Sequence, residues 1–409
     1  MEEHRGEYGL KSEDFEAYRQ VFYAMCVVTF LLQVEWGIAI SQLPIYVYEL
    51  GASPVEVGLV FTVFAGLLMF TLPFWGYLSD YLGKRKTFIV LGMMALAPIF
   101  LLMSTQREVM SLIVLRGSTA IFVGAVVPAT WALVSDISTR GKVGRKMGLL
   151  TSAEMAGFAV GPVLGGLIAD NFGFTVLWLF VAFVCLVGGL IFLVFGSDPS
   201  GLRRRPLNRP LLSFSLRKGF PRRFTALFLG YSLFLSGVAV LGPNRNVYLV
   251  RDLGMSRTMA GLFDFVGILS LALLQPLAGS LSDKYGRKTL MVLASLGLMI
   301  GLVNLYFAES FLQAVVSAAL FAGYSSYKLA ASAYISDRTE CGKRGGVLGL
   351  LSSVESATRS FGAIIGGLLI TAIGIRKVIL LSTVFPALSV LITVLALKER
   401  RSEADPPTA

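Results

Sequence analysis

Apolar residues run through this chain in long blocks. A helix that crosses the roughly 30 Å hydrocarbon layer of a bilayer needs about 20 mostly apolar residues. A membrane strand needs only about ten, in alternation, so the length of the blocks indicates helices. Twelve such blocks occur, at 20–45, 55–78, 87–104, 109–134, 146–169, 174–196, 224–249, 258–281, 288–307, 310–335, 346–371 and 376–397. The pattern predicts an all-α membrane protein with twelve transmembrane helices.

The overall composition points to the same class. Of 409 residues, 55% are hydrophobic and 15% are charged, whereas about a quarter of the residues in soluble domains are charged. The mean hydropathy is +0.73. Because the surface of a soluble protein needs more polar cover than this chain offers, the composition excludes an ordinary soluble enzyme. The expected surroundings are a lipid bilayer.

The residues that usually hold metals or catalyse reactions are scarce. Cys26, Cys185 and Cys341 lie far apart and form no C-x-x-C pair, and His4 is the only histidine. They indicate neither a disulfide framework nor a zinc site. The sequence G-x-x-x-x-G-K-[ST] is absent as well, which argues against ATP as a direct energy source. We therefore expect no cofactor, no metal, no catalytic residue and no enzymatic activity.

The net charge of +11 is distributed unevenly along the chain. Basic residues cluster in alternate connections: Lys84, Arg85 and Lys86 after the second stretch, Arg140, Lys142, Arg145 and Lys146 after the fourth, and Lys284, Arg287 and Lys288 after the eighth. By the positive-inside rule, this pattern predicts a multi-pass protein of the cell membrane with both termini in the cytoplasm. The basic charge is thus a topology signal, and we expect no nucleic-acid partner.

Polar segments set the expected domain boundaries. Residues 197–223 carry eight basic side chains and divide the stretches six and six. We expect a polar tail at 1–19 without the apolar run of a signal peptide, a six-helix bundle at 20–196, a basic cytoplasmic linker at 197–223, a second bundle at 224–397, and a cytoplasmic tail at 398–409.

The two halves of the chain repeat each other. The segment 76–86, GYLSDYLGKRK, matches 279–288, GSLSDKYGRK, at an offset of 203 residues. At an offset of 201, Ser135-Asp136 and Glu154 match Ser336-Asp337 and Glu355. Six is an even number of spans, so both copies take the same membrane orientation. We expect two parallel six-helix bundles with a substrate site between them near the middle of the membrane.

These repeated segments carry a family resemblance. The pattern G-x3-D-x2-G-[KR]-[KR] resembles the signature of the major facilitator superfamily, and its positions here are Gly76, Asp80, Gly83, Lys84 and Arg85, with Gly279, Asp283, Gly286 and Arg287 in the second copy. The resemblance implies the twelve-span major facilitator fold and secondary transport by alternating access. It also implies that these residues act as a conformational latch, with Asp80 and the basic cluster holding the start of the eleventh stretch in one state.

A second motif is more selective. The fifth stretch resembles the antiporter motif of the drug:proton exporters at Gly148, Gly157, Gly161, Pro162, Gly165 and Gly166. The fourth stretch matches the pattern of that branch at Arg116 alone. The resemblance implies proton-coupled efflux of small lipophilic or amphipathic compounds, with protons and a small molecule as partners. We expect a monomer. The motif glycines are also compatible with static packing of helices.

Charged residues inside membrane spans are costly and therefore informative. At 1.5 Å per residue, Glu35 and Arg116 lie at similar depths, roughly 15 and 10 Å below the outer face. They form a candidate pair for proton coupling, or a static bridge. Glu154 and Glu355 are the alternative proton carriers, although Glu355 and Arg359, four residues apart, are also expected to pair as a structural element. The candidate substrate-cavity residues are Gln33, Trp36, Asn244, Tyr324, Tyr327 and Lys328.

Two other functions remain open from the sequence. A metabolite or sugar symporter or facilitator of the same superfamily would share the fold, but the complete motif in the fifth stretch favours an exporter. A membrane sensor that no longer transports would also keep the fold. The identity of the substrate does not follow from these motifs, because specificity depends on the shape and side chains of a cavity.

Overall fold

A computed structural model of the chain describes residues 12–138, 143–199, 222–321, 323–339 and 344–397. These residues contain no strand, and they form fourteen helical segments. The segments are α1 (Ser12–Glu49), α2 (Pro54–Leu82), α3 (Lys86–Thr105), α4 (Val109–Asp136), α5 (Val143–Phe195), α6 (Arg222–Ala239), α7 (Asn244–Arg251), α8 (Arg257–Tyr285), α9 (Arg287–Tyr306), α10 (Phe311–Phe321), α11 (Gly323–Arg338), α12 (Arg344–Ile373), α13 (Ile375–Ser382) and α14 (Val384–Ala396).

The helical prediction is confirmed, because each of the twelve apolar stretches is helical over most of its length. Among the described residues, ten helices are long and apolar enough to cross a membrane. Large apolar side chains on their outer surfaces are exposed, such as Val194 at 71% and Leu395 at 76%. Such exposure is expected of surfaces that face lipid. The count of twelve crossings stays a prediction.

The predicted boundary between the fifth and sixth stretches is present within α5, which consists of two helices that meet at the non-helical Gly173, with φ 80° and ψ 170°. Other helix boundaries differ from the predicted ones. The seventh stretch is interrupted between α6 and α7 by Gly242, at φ 38°, and by Pro243, which has no N–H to continue the helix. The twelfth is interrupted at Thr383. The helix α1 begins at Ser12, inside the predicted tail.

Most of the predicted linker, the first part of the N-terminal tail and the whole C-terminal tail lie outside the described residues. This leaves 1–11, 200–221 and 398–409 without a structural description. The boundaries at 197–223 and 398–409 therefore stay predictions.

The chain divides into two compact units. Unit 1 comprises 1–52, 59–214 and 255–265, and unit 2 comprises 53–58, 215–254 and 266–409. The start of α2 thus belongs to unit 2 and the start of α8 to unit 1, although each was expected in the bundle of its own half. Close backbone approaches explain the assignment: a Cβ atom on Gly261 would lie 2.1 Å from the carbonyl oxygen of Pro162, and one on Gly58 would lie 2.5 Å from that of Ala363.

Aromatic side chains fill the interior of each unit. In unit 1, Trp178 is completely buried and stacks on Phe100, with ring centroids 6.1 Å apart. In unit 2, the buried ring of Tyr327 stacks between Tyr231 and Phe234, at centroid distances of 5.5 and 4.6 Å. These rigid cores hold the helices that carry the embedded charges.

Candidate functional site

Glu35 of α1 and Arg116 of α4 form a buried ion pair in unit 1. The Arg116 Nη1 atom lies 2.8 Å from Glu35 Oε1, and the two side chains are 0% and 1% exposed. The structure thus brings together the two residues that their depths along the spans had matched. A charged pair this deeply buried carries a large desolvation cost.

The surroundings of Arg116 leave part of its guanidinium without hydrogen bonds. The ring of Phe64 lies 4.0 Å from Arg116 Cζ, and Thr119 Oγ1 lies 3.4 Å from Nη1. Among the described residues, Nε and Nη2 have no hydrogen-bond partner. Within the described residues, the guanidinium is therefore held through Nη1 alone.

Other predicted residues lie in the same unit. Trp36, next to Glu35 in sequence, packs edge-on against Phe64 at a centroid distance of 5.9 Å. Gln33 is half-buried beside the motif residue Gly157. Glu154 is half-buried on α5 and accepts a hydrogen bond from the indole of Trp131. Glu154 is thus held by a neutral partner, whereas Glu35 is held by a cation.

The antiporter motif brings α5 against α1. Cβ atoms on Gly157 and Gly161 would lie 2.2 and 2.5 Å from the carbonyl oxygens of Phe30 and Val34. Gly165 faces Gln42 at 2.9 Å, so three glycines spaced four residues apart form one contact stripe. Gly148 has no neighbour within 4 Å among the described residues, and so takes no part in this contact.

The same motif continues to the start of α8. A Cβ atom on Gly166 would lie 2.5 Å from the carbonyl oxygen of Arg257. Pro162, inside α5, exposes its carbonyl oxygen to Gly261, and Gln42 Nε2 donates to the carbonyl of Arg257 at 3.3 Å. All of these residues belong to unit 1.

The two copies of the predicted latch form matching networks. In unit 1, Arg85 donates to Asp80 at 2.5 Å and to Asp136 at 3.2 Å. In unit 2, Arg287 binds Asp283 and also Asp337, the latter at 3.2 Å. Each arginine additionally donates to a serine of its own copy, Ser79 or Ser282. The two copies of the repeated sequence therefore form the same kind of ion-pair network.

The glycines of the latch have different roles. Gly83 and Gly286 end α2 and α8 with φ of 62° and 91°, a backbone geometry that favours glycine. Gly76 and Gly279 lie within α2 and α8. A Cβ atom on Gly76 would meet Pro128 at an ordinary 3.4 Å, and one on Gly279 would meet no described atom within 4 Å. Neither glycine makes a close helix contact in this conformation. Lys84 follows Gly83 in the connecting loop.

In unit 2, Glu355 is the centre of a second charged cluster. Lys328 Nζ of α11 lies 2.8 Å from Glu355 Oε2, and Arg359 Nε lies 3.3 Å from Oε1. The hydroxyl of Tyr231 on α6 donates to Oε2 at 3.2 Å. The expected pair of Glu355 and Arg359 is present, and Lys328 joins it.

The remaining cavity candidates are placed differently. Tyr327 is 0% exposed and lies in the aromatic interior of unit 2, so in this conformation it supports packing. Asn244, also buried, donates to the carbonyl of Pro54 at 3.2 Å. The side chain of Tyr324 lies outside the described residues.

Sequence analysis missed a polar contact at the start of α8. Arg257 binds both carboxylate oxygens of Glu49 at 2.8 Å, and Asp170 accepts hydrogen bonds from the backbone N–H groups of Arg257 and Thr258 at 3.1 and 2.8 Å. A comparison of the two repeats could have revealed this contact. In the first copy, Ser53 and Glu56 form a capping box at the start of α2. In the second copy, Met259 stands at the position of Glu56, so Asp170 supplies the carboxylate.

The sequence profile of the Major Facilitator Superfamily matches residues 25–228 and 227–409 of this chain. The two matches together cover nearly all the residues described above. The chain belongs to the Major Facilitator Superfamily. It is therefore a multi-pass membrane transporter of small molecules, and it is not an enzyme.

Individual relatives are distant. An uncharacterized transporter of the superfamily from Methanocaldococcus jannaschii is 26% identical over 376 residues, which cover 89% of this chain and 94% of the relative. Multidrug resistance protein MdtG of Yersinia enterocolitica is 26% identical over 296 residues, covering 69% of this chain and 70% of MdtG.

Solved transporter structures share the fold. The nucleoside transporter NupG superimposes with a TM-score of 0.78 at 14% identity, over 92% of this chain and 100% of NupG. A bacterial homologue of the human lysosomal transporter Spinster gives 0.75 at 15% identity, over 95% of this chain and 98% of the homologue. At these identities the likeness concerns the fold alone.

Proposed function

We propose that this superfamily member is a proton-coupled exporter of small lipophilic or amphipathic compounds that works by alternating access. In this proposal it acts as a monomer in the cell membrane, with both termini in the cytoplasm. The similarity to proteins named for multidrug resistance supports export. So does the complete antiporter motif, whose glycines bring α5 against α1.

The observation that carries the proposal is the buried pair of Glu35 and Arg116. Desolvation favours a neutral carboxyl group and an adjacent arginine favours the ionised one. Any movement that separates α1 from α4 therefore makes Glu35 take up a proton, and the return of Arg116 expels it. Glu35 contacts Arg116 through Nη1 alone, since Nε and Nη2 bind no described protein group, so one contact between the two charges has to be broken and remade. Glu154 and Glu355 are the alternative carriers.

Uptake by inside-out membrane vesicles tests the proposal. With an imposed gradient, acidic inside, vesicles that contain the wild-type protein should accumulate at least one of three fluorescent dyes: cationic ethidium, neutral N-phenylnaphthylamine or anionic anilinonaphthalenesulfonate. Collapse of the gradient should release the dye. Glu35→Gln should abolish accumulation and retain dye binding, whereas Glu35→Asp should retain part of the transport.

The matched control is Glu108→Gln, since Glu108 is exposed at the start of α4. This variant should accumulate dye like the wild type. Gradient-driven accumulation by Glu35→Gln would show that Glu35 is not the proton carrier, and would reduce its pair with Arg116 to a static bridge.

We also propose that the Asp80 network acts as a latch. Arg85 binds both Asp80 and Asp136, so it remains paired with Asp136 when its contact with Asp80 is lost. Topology needs the basic residues of the loop, whereas latching needs the carboxylate. Asp80→Asn should therefore insert normally, as checked by protein level in the membrane, and transport more slowly in the vesicle assay. Full transport by this variant would leave topology as the sufficient role of the segment.

A further inference from the structure

Unit 2 holds two cationic side chains against one carboxylate. Lys328 and Arg359 both bind Glu355, which is 14% exposed, while their own side chains are 42% and 50% exposed. One carboxylate thus holds two cations at once. The carboxylate is enclosed, whereas both cations remain accessible to a ligand.

The exposed cations face a polar surface. On α12, Ser352, Ser356 and Arg359 follow at spacings of four and three residues, and all three are exposed. Phe361, Ile365 and Leu368 repeat the same spacing nine residues later and are also exposed. Nine residues are two and a half helical turns, so these two surfaces lie on opposite sides of the helix. The apolar side suits lipid, and the polar side suits an aqueous cavity.

Arg359 lies too far from the ends of α12 to be a basic residue at the membrane surface. It follows Arg344 by fifteen residues, or about 22 Å. Lysines near span ends commonly extend towards the membrane surface, but the ammonium group of Lys328 binds Glu355 on the neighbouring helix. Both cations are therefore held inside the bundle by the carboxylate.

The carboxylate is itself held in position by neutral groups. The hydroxyl of Tyr231 donates to Glu355, and the Tyr231 ring is fixed by stacking on Tyr327. One turn away, the hydroxyls of Ser232 and Thr358 lie 2.9 Å apart. Loss of either cation from Glu355 would thus leave the acid with a remaining hydrogen-bond donor.

We propose that Lys328 and Arg359 bind the anionic group of an amphipathic substrate. A sulfonate, carboxylate or phosphate oxygen would accept hydrogen bonds from the exposed ammonium and guanidinium groups, as charged donors favour. It would compete with Glu355 for these donors. This inference deepens the proposed function and rests on it for the identity of the ligand as a transported substrate.

Equilibrium binding without any proton gradient tests the charge preference. The protein is placed in nanodiscs of zwitterionic lipid and titrated with three probes that share one ring system: naphthalenesulfonate, its neutral sulfonamide, and naphthyltrimethylammonium. The wild type should bind the sulfonate most tightly. Lys328→Gln and Arg359→Gln should each weaken sulfonate binding by about tenfold to a hundredfold, the loss of one charge-assisted hydrogen bond, and leave sulfonamide binding unchanged.

Glu355→Gln separates a ligand site from a structural cluster. Because it removes the competitor, it should tighten sulfonate binding, whereas a purely structural cluster would lose binding on every substitution. Lys377→Gln is the matched control, since Lys377 is exposed at the start of α13 in the same unit. It should bind all three probes like the wild type.

Three results would overturn the proposal: no binding of the sulfonate, equal affinities for the three probes, or tightest binding of the ammonium probe with loss on Glu355→Gln. The last result would make Glu355 a receptor for cations. A failure of the proposed transport function gives a different result, in the vesicle assay. Sulfonate that binds in nanodiscs but is not accumulated by energised vesicles contradicts proton-driven export and leaves the anion site standing.

Discussion

Arg116 shows how a single side chain combines stability with function. A buried ion pair contributes little net stability, yet removal of one partner strands the other and costs about 3–5 kcal/mol. Glu35 and Arg116 are completely enclosed, so they meet this condition. In the proposed cycle, a proton on Glu35 would offset part of the cost of separating the two charges.

A double-mutant cycle measures this coupling. Arg116→Gln should lower the thermal unfolding temperature strongly, because Glu35 stays buried without its cation. Glu35→Gln/Arg116→Gln should recover much of the loss, since two neutral amides can hydrogen-bond to each other. Unfolding in detergent, followed by tryptophan fluorescence, gives the four temperatures. Additive losses in the double variant would mean that the two side chains do not stabilise each other.

Sequence analysis paired residues correctly where their depth in the membrane was sufficient to match them. Glu35 and Arg116 were matched because two antiparallel spans place them at similar levels. The contact between Lys328 and Glu355 was not predicted, because the nearer partner in sequence, Arg359, already satisfied the spacing of a helical pair. The contact between Arg257 and Glu49 depends on the close approach of the start of α8 to the end of α1, which no local pattern encodes.

At the scale of helices, the stripe of glycines on α5 sets the distance to α1. Gly157 and Gly161 meet backbone oxygen atoms of α1, which have no side-chain freedom with which to retreat. Sequence analysis identified these glycines and noted that they are compatible with static packing. The structure shows close packing along the motif, and the helical backbone breaks beyond it, at Gly173.

An alanine pair within the motif tests this packing. Gly157→Ala would place a Cβ atom 2.2 Å from the Phe30 carbonyl oxygen, and such overpacking costs about 1–3 kcal/mol. Gly148→Ala, in the same motif, meets no described atom and should be neutral or stabilising by about 0.5–1 kcal/mol, as alanine favours helix over glycine. The thermal unfolding temperatures of the two variants measure this difference in stability. Equal stability of the two would show that α1 and α5 are not held at this distance in solution.

At the scale of the whole chain, the repeat explains most of what the sequence could predict. Two copies of one unit give the same arginine network, with Arg85 and Arg287 each bound to two aspartates. The helix break at Gly242 was missed because this glycine acts through a positive φ angle within an otherwise apolar stretch. The differences between the copies, such as Glu35 and Arg116 in unit 1 and the Glu355 cluster in unit 2, are where specific function is expected.

The direction of proton movement driven by substrate tests the central claim most directly. Proteoliposomes are loaded with a transported dye that carries no titratable group, together with a pH indicator, and diluted into dye-free buffer while potassium and valinomycin clamp the voltage. An exporter that exchanges substrate for protons should acidify the interior as dye leaves, and Glu35→Gln should abolish this signal. Alkalinisation of the interior would indicate symport, and dye efflux without any pH change would indicate facilitated diffusion; either would contradict the account.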